Sequence, residues 1–179
     1  MYCLGLAAAV AMMSPAAGTN EIRPGTISVV AGDGPNTPAA VASLYADAVG
    51  QALLRTRFFV LPNPSHSRYV ATVEVIRTPR GVVVSNGRQS PAAPALSNGG
   101  GGLSFGLASN KTQLRGLVET RLKISISLRS DSHVAWTGQA ITVRATGTKG
   151  GDPYDVVAAL SDALLSRFPY QQQEPLTIP

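Results

Sequence analysis

The feature that most constrains the fold is an alternation of apolar and polar residues between Val118 and Arg129. One parity of this stretch is apolar apart from a threonine: Val118, Thr120, Leu122, Ile124, Ile126 and Leu128. Because successive side chains of a strand point to opposite faces, this period predicts one long strand with a buried face and a solvated face. The polar turn that follows predicts an antiparallel partner over residues 133–146.

The partner strand changes parity along its length. Val134 and Trp136 share one parity, whereas Ile141 and Val143 share the other. Since Gly138 lies between the two pairs, we expect a β-bulge there that lets both pairs face the core. Trp136, the only tryptophan, is then a buried side chain, and an exposed stacking platform is the alternative.

Two helices and three further strands complete the predicted fold. Thr37 before Pro38, and Asp152 before Pro153, each match an N-cap followed by proline at the first helical position. We expect helices from these points to about Arg55 and to the Phe168–Pro169 pair. Short apolar runs predict strands over residues 26–31, 57–61 and 69–78.

These elements define the expected fold class. It is α+β: a two-layer sandwich with a mostly antiparallel sheet of about four to five strands and two helices on one face. The order of elements is β-α-β-β-β-β-α.

The chain is expected to hold one domain with additional segments. Residues 1–18 contain about a dozen apolar residues followed by small residues, which matches the core and cleavage region of a signal peptide, and a buried amino-terminal helix is the alternative. Cys3 precedes the apolar run, whereas a lipoprotein cysteine follows it, so lipidation is not expected. The domain covers residues 19–169, with a Gly/Pro/Ser-rich loop at 79–112 and a flexible tail at 170–179.

Few residues are candidates for catalysis. His66 and His133 both fall in polar turns and are interpreted as surface residues, because a triad needs partners held by rigid elements. Glu74 and Glu119 lie on predicted strands, and a facing pair of carboxylates could serve glycoside hydrolysis. Cross-strand partners such as Arg77 and Arg121 explain them more simply. We therefore predict no catalytic residues, no metal and no cofactor, and a small hydrolase is the alternative.

The charge pattern indicates an anionic partner more readily than a nucleic acid. The net charge is +5, but the basic residues are scattered, unlike the clusters of nucleic-acid-binding domains. Arg121, Lys123 and Arg129 share the polar parity of the alternating strand. They are candidate contacts for an anionic glycan, a lipid phosphate or an acidic protein. An ordinary solvated face is the alternative.

Several short motifs follow one another along the chain: a Gly-rich loop, LKISISLRS, a polar turn, HVAWTGQA, and a closing helix that ends in SRFP. This combination resembles an uncharacterised family of bacterial envelope lipoproteins. The matching residues are Asp131, Val134, Trp136, Gly138, Ala140, Phe168 and Pro169. The first half is similar to related α/β domains of the curli secretion channel, of the amino-terminal part of TolB, and of the activators of penicillin-binding proteins.

The resemblance implies a non-catalytic protein of the cell envelope. Such a protein would be exported to the periplasm, with the inner face of the outer membrane as one site within it, and would act as a binding or assembly module through protein contacts. Lipopolysaccharide-assembly lipoproteins have a similar order of elements. The alternative is therefore an accessory of lipopolysaccharide or outer-membrane biogenesis that binds an anionic glycolipid through its basic strand face. No transmembrane span is expected in the mature chain, and the oligomeric state stays open.

Overall fold

The chain forms two helices and six strands in the part that a computed structural model describes, residues 22–23, 25–32, 37–86 and 112–179. The signal-peptide-like segment 1–18, with Cys3, and the glycine-rich stretch at 87–111 lie outside the described residues. The elements, in chain order, are β1 (Thr26–Ala31), α1 (Ala39–Leu53), β2 (Phe59–Val60), β3 (Tyr69–Asn86), β4 (Thr112–Leu128), β5 (Val134–Ala145), α2 (Pro153–Leu165) and β6 (Leu176–Thr177).

The sheet is mixed, with the strand order β2-β1-β3-β4-β5-β6. The α+β class is confirmed, but the sheet has six strands instead of four or five, and it is mixed: the long central pairings are antiparallel and the outer pairings are parallel. β3, β4 and β5 are antiparallel neighbours, whereas β1 pairs in parallel with both β2 and β3, and β5 pairs in parallel with β6. A helix separates β1 from β2 and β5 from β6, and such a crossover returns the chain in the same direction.

The helices cover one face of the sheet and form the core with it. Each contributes a buried apolar stripe, which includes Val49 and Leu53 on α1 and Leu160 and Leu164 on α2. The alternating stretch of β4 supplies the buried Leu122, Ile124 and Ile126 below them. The prediction of one buried face on this strand is therefore confirmed.

The two helix starts differ from each other. Asp152 caps α2 as expected, because its side chain accepts a hydrogen bond from the Tyr154 amide at 2.9 Å. Thr37 does not cap α1: the N-cap is Pro38, and no side chain caps that terminus. α2 ends at Leu165, so Phe168 follows the helix instead of ending it.

The hairpin formed by β3 and β4, which we call the central hairpin, is longer than the sequence predicted. β3 continues through Pro79 to Asn86, and β4 begins at Thr112, so the predicted loop 79–112 is in part a two-stranded ribbon. The composition at Pro79 and Gly81 suggested the end of a strand. A register shift between these residues instead accommodates the extra residue as a bulge, with Gly81 at a φ of 138°.

The tail at 170–179, which was predicted as a flexible segment, contains a sixth strand. Leu176 pairs with Ala140 and Thr177 with Ile141, which adds β6 to the edge of the sheet. Leu176 and Ile178 pack against the core. A two-residue strand has no periodicity of its own, so its pairing depends on the neighbouring β5.

The bulge in β5 lies at Ala135 and not at Gly138. Trp136 pairs with Ile126 and Val134 with Ser127, which leaves Ala135 as the extra residue. Trp136 is fully buried, whereas Val134 is 53% exposed. The burial of the indole is confirmed, but its shared parity with Val134 was the wrong reason.

Ile141 and Val143, in the second half of β5, were expected to face the core together with Trp136. Without a bulge at Gly138 the strand keeps its parity beyond Trp136, and Ile141 and Val143 lie on the face opposite the helices. Val143 is accordingly exposed and Ile141 half-buried. The second pair therefore does not contribute to the core.

Gly138 has a packing role. A Cβ atom there would lie 2.6 Å from Cη2 and 2.8 Å from Cζ2 of Trp136, and 3.0 Å from Cδ1 of Leu164. The indole therefore occupies the space that a side chain at position 138 would need.

Gly138→Ala is expected to lower the free energy of unfolding by about 1 to 3 kcal/mol, because overpacking displaces the indole. Gly150→Ala is the matched control, since a Cβ at Gly150 meets no atom within 4 Å. Its effect should stay within about 0.5 kcal/mol. Urea denaturation of both variants measures the difference, and equal midpoints would contradict the packing role of Gly138.

Candidate functional site

Four of the residues that carry the family resemblance meet in one packed cluster. The rings of Trp136 and Phe168 are 5.4 Å apart and nearly perpendicular. Gly138 makes room for the indole, and Ala140 lies buried further along the same face of β5. These residues act in packing.

The remaining motif residues lie at the margins of this cluster. Asp131 is exposed in the turn before β5, where its carboxylate accepts a hydrogen bond from the His133 amide at 3.0 Å. Val134 is exposed next to it, and Pro169 is exposed after the Phe168 ring. The structure therefore gives these three residues surface or turn positions.

The Trp136 cluster also fastens the tail. Trp136 Nε1 donates a hydrogen bond to the Tyr170 carbonyl at 3.1 Å. Gln171 Nε2 donates to the carbonyl of Ala135, the bulged residue, also at 3.1 Å. Further along, Thr142 donates to the Ile178 carbonyl at 2.8 Å. The tail is thus held against β5 by these three hydrogen bonds, each of which involves a side chain.

Carboxylates neutralise much of the positive charge on the polar face of β4. Lys123 Nζ lies 3.4 Å from Glu74, its cross-strand neighbour, and Arg121 lies 3.4 Å from Glu119. Arg129 lies beyond the end of β4, where its Nε donates to the Ser67 carbonyl at 2.8 Å. Eight residues of extended chain place it about 26 Å from Arg121. The three predicted contacts therefore do not form one site.

The two glutamates do not face each other. Glu74 pairs in register with Lys123, which lies four residues along β4 from Glu119. This offset separates the two backbones by about 13 Å along the strand. The carboxyl groups of glycosidases are about 5 to 9.5 Å apart. Glu119 instead binds Arg80 at 2.7 Å and lies 3.4 Å from Arg121, one of its two expected partners.

The two histidines lie in separate exposed segments. His66 ends a short 3-10 helix over Pro64–His66, and His133 precedes β5. Within the described ranges, His, Cys, Asp and Glu residues form no group of three or more that could hold a metal ion. Neither α1 nor α2, the helices of the described chain, is long and apolar enough to cross a membrane.

An apolar surface that the sequence prediction missed lies on the far end of the central hairpin. We call the segment where Val82–Asn86 pairs with Thr112–Gly116 the hairpin extension. Val82 and Val84 alternate on one of its faces, and Leu114 lies opposite Val84. These three side chains are 66%, 63% and 73% exposed, respectively. The alternation of Val82 and Val84 was the available signal, but the flanking Pro, Gly and Ser residues obscured it.

Comparisons with known proteins identify no family for this chain. No family model matches the sequence, and no curated protein matches it. Among solved structures, the chain is similar to the PelC L103M dodecamer from Paraburkholderia phytofirmans, with 16% identity and a TM-score of 0.43. The match covers 83% of this chain and 88% of that chain. A likeness at this level carries no functional argument, and the resemblance to envelope lipoproteins stays a prediction.

The single tryptophan makes the cluster directly measurable. We expect the fluorescence of the folded protein to resist quenching by acrylamide, because the indole is fully buried, and to become quenchable in urea. A Val134→Trp/Trp136→Phe variant moves the indole to an exposed neighbour as the control. Easy quenching of the native protein, equal to that of the control, would contradict the packed cluster.

Proposed function

We propose that the protein is a non-catalytic binding or assembly module of the cell envelope that acts through contact with a partner protein. The hairpin extension is its contact element. The observation that carries this proposal is the exposed apolar face formed by Val82, Val84 and Leu114. Scattered apolar residues are normal on a surface, but three adjacent ones on a projecting ribbon are typical of an interaction site.

Covering this face adds a favourable apolar contribution to the contact with a partner. Full burial of an aliphatic side chain of this size contributes about 1.5 to 3 kcal/mol. The three side chains are already about one-third buried, so a partner that covers them gains on the order of 4 kcal/mol. This corresponds to about a thousandfold in affinity.

The backbone of the hairpin extension offers a second mode of contact. β1 pairs with β3 only as far as Val73, and β5 pairs with β4 only from Leu117 onward. In the described chain, the outer edges of the extension therefore have no neighbouring strand, and only the backbone of Gly116 bonds to the chain beside it, where its carbonyl accepts from the Thr146 amide at 2.8 Å. Such edges can receive a strand from a partner, which adds main-chain hydrogen bonds to the apolar contact.

The envelope location of this module is supported by the sequence. An apolar, uncharged segment followed by small residues at positions 14–18 fits an export signal. The low content of charged residues, 14%, is in keeping with an exported protein. These features support export to the periplasm as part of the proposal.

Site-specific photo-crosslinking in the producing cells tests the contact. A crosslinking residue in place of Val82 is expected to capture one protein partner, and the adduct should fall at least tenfold when Leu114→Glu is added, because a charge must then be desolvated in the contact. Val143, an exposed valine of β5 outside the hairpin extension, is the matched position for the control.

The Leu114→Glu protein should keep its urea midpoint, since Leu114 is 73% exposed. Equal adducts from positions 82 and 143, or an adduct that Leu114→Glu leaves unchanged, would contradict the proposed contact element. An adduct with the mass of two copies of this chain would replace the partner protein by a self-contact.

A further inference from the structure

Arginines precede three of the aromatic residues that pack at one end of the sheet. The pairs are Arg57–Phe58, Arg68–Tyr69 and Arg167–Phe168. In each pair the ring packs with the core while the arginine is exposed. At this end, the aromatic ring of each pair therefore faces the core and the preceding arginine faces the solvent.

The ring contacts place the three segments that carry these arginines next to each other. The Phe58 ring lies 5.6 Å from that of Tyr69 and 5.5 Å from that of Phe168. Arg129 joins them, because its amide donates a hydrogen bond to the Arg68 carbonyl at 3.0 Å. We call the surface formed by Arg57, Arg68, Arg129 and Arg167 the basic end; it lies where β1 and β3 begin and β4 ends.

The positive charge of the basic end is not neutralised within the described residues. None of the ion pairs found there involves these four arginines. Nearby, Arg55 and Asp162 already form an ion pair with each other. Asp131, whose carboxylate accepts the His133 amide, is the remaining carboxylate of the adjacent turn. The basic end therefore differs from the β4 face, where Arg121 and Lys123 have acidic partners.

Exposed aromatic side chains flank the basic end. Phe59, which pairs with Thr26 at the start of β1, is 73% exposed. Tyr170, whose carbonyl accepts the Trp136 hydrogen bond, is 78% exposed. Aromatic rings at the margin of a group of arginines are the combination found at membrane interfaces, where the rings lie at headgroup level and the guanidinium groups contact phosphates.

We infer that the basic end binds the surface of a bilayer that contains anionic phospholipids. The four arginines come from separate segments at this end of the sheet, so the proposed contact is with an array of phosphate groups and not with a single anion. Each basic residue near such a surface contributes about a fivefold increase in partitioning. This inference does not depend on the proposed partner, because the hairpin extension lies at the opposite end of β3.

Vesicle co-sedimentation of the folded protein tests the inference. Vesicles of phosphatidylcholine with about 30 mol% phosphatidylglycerol should bind the protein, and raising the salt from about 50 to about 500 mM should release it. An Arg57→Gln/Arg167→Gln variant should partition about 25-fold less. These two residues are chosen because Arg68 stacks on the Tyr69 ring and Arg129 binds the Ser67 carbonyl.

The control variant Arg121→Gln/Lys123→Gln removes the same net charge from the β4 face and should lose less than threefold. Tyr170→Ser should weaken binding without changing the urea midpoint. Equal loss in the two double variants, or no binding to anionic vesicles, would overturn the inference. Binding to poly-glutamate but not to vesicles would assign the basic end to an acidic protein instead. Leu114→Glu, which tests the hairpin extension, should leave vesicle binding unchanged.

Discussion

The packing of the Trp136 indole over Gly138 is the interaction on which much of this structure depends. The bulge at Ala135 buries the indole, and the absence of a side chain at Gly138 gives it room. The Phe168 ring packs nearly perpendicular to the indole. The hydrogen bond from Trp136 Nε1 to the Tyr170 carbonyl fixes the start of the tail. Because an indole buries a large apolar area and needs a partner for its N–H group, one side chain organises β5, the end of α2 and the path to β6.

The β3–β4 hairpin connects the two surfaces for which a function is proposed. Tyr69 begins β3 beside the basic end, and Asn86 ends it in the hairpin extension. At about 3.3 Å per residue these positions are at most about 55 Å apart. A protein that rests on a bilayer through its arginines would therefore hold its exposed valines well away from the membrane surface, where a partner protein can reach them. The two proposals are compatible, but each stands on its own residues.

The basic residues fall into two groups, those with a carboxylate partner and those without one in the described chain. On the β4 face, register places Lys123 opposite Glu74, and Arg121 and Arg80 both contact Glu119. Exposed pairs of this kind contribute little to stability, about 0 to 1 kcal/mol, but they reduce the positive field of that face. The arginines beside the aromatic cluster have no such neighbours in the described chain. The alternation of residues along β4 could not reveal which basic residues have an acidic partner. That depends on which residues β3 places beside them.

The sequence by itself determined the elements whose signal is local. The alternation over residues 118–128 specified a strand and its buried face, and Asp152 before Pro153 specified the start of α2, since both depend on residues within one strand or one helical turn. The tertiary structure alone decided the bulge position, the β6 pairing and the convergence of the arginines. Each depends on contacts between residues far apart in the chain, such as Trp136 with Tyr170 or Phe58 with Phe168, and no local period records them.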